Sequence, residues 1–91
     1  MPANTPIDPE AIALAALAAT LADPRRAQRF IDLTGIGTGE LRRRVGEASL
    51  LAALVRFLEA HEPDLVAVSE ELGVSPQVLV EARRELEREG K

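Results

Sequence analysis

The stretch Ala48–His61 constrains this 91-residue chain more than any other. Leu50, Leu51, Leu54, Val55, Phe57 and Leu58 fall in it at i, i+1, i+4, i+5, i+7 and i+8. On a 3.6-residue period they make a stripe too wide for a surface helix, with only Arg56 and Glu59 expected in water. Such a helix has to lie inside a bundle. The fold expected is therefore all-α: a compact bundle of five to six short helices around one central apolar helix.

Boundary residues divide the remainder. Residues 1–7, with Pro2, Asn4, Thr5 and Pro6, are expected as a flexible N-terminal arm, and residues 8–89 as a single helical domain. Asp8-Pro9-Glu10 starts a first helix running to about Ala22: an Asp carboxylate accepts from orphan N–H groups, and proline at the first position has no N–H to lose. Ile12 or Ala13, Leu14, Leu17, Ala18 and Leu21 are expected on its buried face. Asp23-Pro24 repeats the signal, with Ala27, Phe30, Ile31 and Leu33 inward and Arg25, Arg26, Arg29 and Asp32 outward, and Gly35 ends that helix in a left-handed conformation. Thr38 is the expected cap of a short third helix with Leu41 and Val45 inward and Arg42, Arg43 and Arg44 fanned outside. After the central helix, His61-Glu62-Pro63 opens a helix carrying Leu65, Val66, Val68 and Leu72, which Gly73 terminates. Ser75-Pro76 opens the last, with Val78 or Leu79, Ala82 and Leu86 against the core.

The two halves share this grammar. Each has a proline-started short helix closed by a glycine, and Leu41 and Leu79 both lie six residues past that glycine. A weak two-fold internal repeat follows, with the second and fifth helices as equivalents.

Composition excludes several classes. With no cysteine there is no disulfide framework, thiolate metal site or cysteine nucleophile, and reducing cytoplasm is the expected compartment. The longest uncharged stretch near the start, Ala11–Ala22, falls well short of the roughly twenty apolar residues of a membrane span, so a soluble protein with no membrane association is expected. Charge is segregated. Residues 25–44 hold six Arg against Asp32 and Glu40, while the segments on either side are acidic and the chain carries −4 in total.

Leu14, Leu17, Leu21 and Asp23, then Phe30 with Leu33-Thr34-Gly35, then Leu41-Arg42, form one run of a longer pattern. It continues through Leu51-Ala52-Ala53 to Phe57-Leu58, Glu62-Pro63, Gly73-x-x-Pro76 and Ala82-Arg83. In these residues, over Asp8–Leu86, the chain resembles a family of short alphaproteobacterial proteins carrying only a domain-of-unknown-function label. It departs from the family pattern at Gly37-Thr38-Gly39, where a proline-started helix is usual, and at Val68, where an aromatic is common. The resemblance implies an all-helical fold and transfers no activity or site residue.

Catalysis has little to draw on. His61 is the sole histidine and is expected exposed or capping at a helix end; Glu62 and Asp64 beside it lie on different faces and do not complete a ligand set. The acid pairs Glu70/Glu71 and Glu87/Glu89 read as solvated faces without the apolar surroundings that would tune them for proton transfer. Neither an enzyme nor a cofactor or metal is expected. The first expectation is a protein acting by contact, as an adaptor or regulatory module for an unknown protein partner or by self-association, because helices 1 and 4 carry an apolar surplus. The alternative is nucleic-acid binding. One form uses the Gly35–Gly39 turn, with Gly35 and Gly37, and Arg42–Arg44 as a phosphate contact. The other reads Leu65–Leu86 as a degenerate helix-turn-helix, against which the acidity of that half weighs. Residues singled out for an anion or partner contact are Arg25, Arg26, Arg29, Arg42, Arg43, Arg44, Gly35 and Gly37.

Overall fold

The computed structural model describes residues 8–89, which form six helices and no strand: α1 (Pro9–Ala22), α2 (Pro24–Thr34), α3 (Thr38–Arg44), α4 (Ala48–Glu59), α5 (Glu62–Leu72) and α6 (Pro76–Glu89). The expected arm, residues 1–7, lies outside the described residues.

Side-chain caps set the first two boundaries. The Asp8 carboxylate accepts from the N–H groups of Glu10 (2.9 Å) and Ala11 (3.4 Å). Asp23 does the same for Arg25 and Arg26, while its own N–H donates to the Thr20 carbonyl at the end of α1. One extended residue therefore closes α1 and opens α2, and the Arg26 N–H holds its carboxyl below the ordinary range. Both glycine stops are left-handed as expected, Gly35 at φ 73° and Gly73 at φ 72°. They are built differently. Gly35 makes a single bond from its N–H to the Ile31 carbonyl, whereas Gly73 bonds to Glu70 and the next N–H, of Val74, reaches back to Ser69. At the start of α3 the expectation shifts by one residue: Gly37 is the cap, without a side-chain bond, and Thr38 is already helical.

The core lies between α1, α4 and α6, with α5 packed on α1 and α4 and α2 on α1. As expected, α4 is the most deeply set element; Leu50, Leu51, Ala52, Leu54, Val55, Phe57 and Leu58 are buried. Arg56 is exposed, but Glu59, expected in water, is half-buried because Arg83 of α6 lies over it. On α6, Leu79, Ala82 and Leu86 face inward. Phe57 meets Phe30 of α2 edge to face at 5.3 Å.

α1 departs from expectation. It buries Ala13, Ala16, Leu17 and Thr20, while Leu14, Ala18 and Leu21 point outward, the two leucines each 37% exposed. The reason is steric: α1 runs against α4 and α6 together, and close approach to two neighbours admits alanine where leucine would not fit. The Thr20 hydroxyl donates to the Ala16 carbonyl at 2.8 Å, so a buried polar group is satisfied within the helix. Ser69 of α5 does the same with Leu65.

α3 is peripheral. Leu41 is buried and Ile36 packs against the core, but Val45, expected inward, is 37% exposed, and Leu33 at the end of α2 is 71% exposed rather than inward. Val66 of α5 is likewise exposed. The internal repeat is therefore clearest in α2 and α5, each eleven residues long and each closed by a left-handed glycine. It weakens at the third helix of each half, since α6 builds the core and seven-residue α3 caps its edge.

Candidate functional site

Two surfaces carry the chemistry, a charged belt and an apolar face. The belt accounts for three of the six arginines singled out from the sequence. Arg26 reaches Glu71 of α5 at 2.9 Å and Asp23 at 3.4 Å, and Arg29 pairs with Asp64 of α5. The Arg29 guanidinium also lies 5.6 Å from the Phe57 ring centroid. Both side chains run across the surface to α5 instead of projecting outward, and Glu71, read as part of a solvated face, is a partner in this belt. Arg44 is held between Glu40 (3.0 Å) and Glu47 (2.8 Å), which keep it firmly protonated, Glu47 having the larger effect.

Arg25, Arg42 and Arg43 are exposed and have no acidic partner among the described residues. Gly35 and Gly37 flank the turn before α3, with open space where a Cβ would stand. The structure thus divides the eight residues: three arginines serve the fold, three are unpaired, and two glycines shape the turn between α2 and α3.

A second network ties α4 to α6. Arg83 grips Glu59 through two bonds of 2.8 and 3.0 Å and reaches Glu87, which also accepts from Arg56. Glu59 above all raises the Arg83 pKa, and the Arg56 hydrogen bond leads the causes that hold Glu87 below the carboxylate range. Glu87 is accordingly no free acid face. Arg84 pairs with Glu81 and Arg88 with Glu85, so every arginine of α6 already has a carboxylate. His61 precedes α5, exposed and without a side-chain cap bond. Among the described residues no three His, Asp or Glu side chains are grouped to hold a metal ion, and no helix is long and apolar enough to cross a membrane.

The apolar face belongs to α1. Glu10, Leu14, Ala18 and Leu21 are exposed at spacings of four, four and three, the geometry of one helix face, and Ala11 is exposed beside them. No charged residue interrupts the helix from Ala11 to Ala22. Where α1 starts, an open groove of about 300 Å³ separates it from α6, lined by Pro9, Val78, Ala82, Gln77, Glu81 and Glu85. The residue pattern alone predicts Leu14 and Leu21 inside. The absence of charge from Ala11 to Ala22 is the sign in the sequence that the outer face of α1 also differs from a solvated surface.

These features define a small all-α protein, six helices around one core, with charge organised largely into intramolecular pairs. Residues 7–89 match the family described as protein of unknown function (DUF3572), and the chain belongs to that family. No curated protein and no solved structure matches it.

Proposed function

We infer that this protein acts by non-catalytic protein–protein contact in the reducing cytoplasm, as an adaptor or regulatory module or as a homo-oligomer, and that the outward face of α1 is the surface it uses. One observation carries this reading. Leu14 and Leu21 stand partly in water while the smaller Ala13 and Ala16 of the same helix are fully buried. Scattered exposed leucines need no explanation, but two on one helix face, with no charged residue from Ala11 to Ala22, form a continuous apolar strip.

A photo-crosslinking residue at Leu14 in living cells tests the reading, with a second at exposed Arg56 of α4 as control. The expected result is a discrete protein adduct from position 14 that disappears in a Leu21→Glu background and is absent from position 56. No adduct from position 14, or equal adducts from both, overturns it.

Unpaired Arg42 and Arg43 favour the second reading, a phosphate contact at the turn before α3. If it holds, Arg42→Glu with Arg43→Glu abolishes duplex binding that weakens steeply with salt; no binding by the wild type at low salt removes it. The helix-turn-helix variant has less behind it, because carboxylates already occupy the arginines α6 would offer to phosphates.

A further inference from the structure

The geometry points to a second copy of this chain as the occupant of the α1 face, in an antiparallel, two-fold symmetric helix pair; this rests on the contact reading above. The strip is self-complementary in one register. With the two-fold axis crossing the middle of the strip, Leu14 of one copy lies opposite Leu21 of the other, and Ala18 stands nearest the axis. The antiparallel arrangement also turns Glu10, exposed on the first turn of α1, toward the end of the partner strip, beyond which Arg25 stands exposed on the first turn of α2. Neither has an ion-pair partner among the described residues. Symmetry makes each such pair occur twice, once at either end of the strip.

Charge placement favours a copy of this chain over a partner of other chemistry. A basic partner would find one acidic residue at one end of the strip and an arginine at the other, and an acidic partner would meet the converse. Only a surface that is acid at one end, apolar in the middle and basic at the other, laid antiparallel, satisfies both ends, and α1 with Arg25 is such a surface. Ala18 near the axis lets the backbones approach.

The strip is small. A fourteen-residue helix is about 21 Å long, and one helix face falls short of the roughly 800 Å² per partner of a standard stable interface. The pairing is therefore weak, and monomer and dimer exchange with concentration.

Light scattering of the purified full chain over a wide concentration range, followed by refractive index, tests this. The wild-type mass should rise from monomer toward dimer. Leu14→Glu, which alters a side chain already partly in water, should leave helicity intact and weaken dimerisation on the order of a hundredfold, since two charges enter the apolar strip. Glu10→Arg and Arg25→Glu should each weaken it about tenfold, and the double variant should recover most of that loss. A monomer at every concentration, a dimer indifferent to Leu14→Glu, or a double variant no better than the singles each overturns the proposal. The crosslinking result separates the two levels. Persistent monomer with a discrete foreign adduct from position 14 leaves the contact reading standing without self-pairing; persistent monomer with no adduct removes both.

Discussion

α1 and α4 are both built mainly from alanine and leucine, yet they meet water in different ways. α4 buries seven of its twelve residues, and Arg56 and Glu59 at its margin reach out to Glu87 and Arg83 of α6. α1 buries four of its fourteen residues and turns Leu14, Ala18 and Leu21 outward with no charge among them. The apolar content of α4 is used up by its own fold, and that of α1 is not. A helix apolar all round is normally enclosed on all sides, and α1 has neighbours on only part of its circumference.

The contrast can be broken most forcefully in α4. Leu54→Ala, at a fully buried position, should cost about 2–5 kcal/mol through lost burial and a residual cavity, read as a lower urea midpoint. Next comes Ala16→Leu on the inner face of α1. If close approach to α4 and α6 is what keeps that face small, the added volume should destabilise by about 1–3 kcal/mol. A neutral or stabilising result would show that the inner face has room and that the outward leucines have another cause.

The charged margin of α4 gives a pH signature. Glu87 is held below its ordinary value of 4.5, so its stabilising contribution is complete above that value in the folded protein and is lost as pH falls through the lowered folded value. The urea midpoint of Glu87→Gln should accordingly fall less than that of the wild type between about pH 7 and about pH 3. Equal falls would mean that the Arg56–Glu87–Arg83 cluster adds nothing to the acid response. Smallest of all should be Leu14→Gln, which leaves most of the side-chain stem in place at a surface position and should shift monomer stability by less than about 1 kcal/mol.

Much of this was legible from residue order. The Asp-Pro starts, the two glycine stops and the width of the Leu50–Leu58 stripe each depend on local geometry, and each appears where the sequence places it. The facing of α1 was not legible, because a helix with leucine and alanine on every side contains no phase; favouring the larger residues then put Leu14 and Leu21 inside. α2 was readable only in part. Phe30 is buried as its spacing demands, but Leu33 lies outside and Arg26 and Arg29 fold across to α5. Those last two positions depend on Glu71 and Asp64, more than thirty residues away along the chain, a proximity no local pattern encodes. The unpaired trio Arg25, Arg42 and Arg43 became distinct from Arg26, Arg29 and Arg44 only once the acids had been placed in space.

The outer face of α1 is uncovered in the single chain, and thiol labelling tests this most directly. The chain contains no cysteine, so Leu14→Cys and Val55→Cys each introduce a unique thiol, one on the open face of α1 and one in the interior of α4. In dilute protein the thiol at position 14 should react as fast as a surface thiol and slow as concentration rises, while that at position 55 stays protected at every concentration. Equal protection of the two thiols in the dilute monomer would contradict the claim, since it would mean that α1 is enclosed by its own chain as fully as α4.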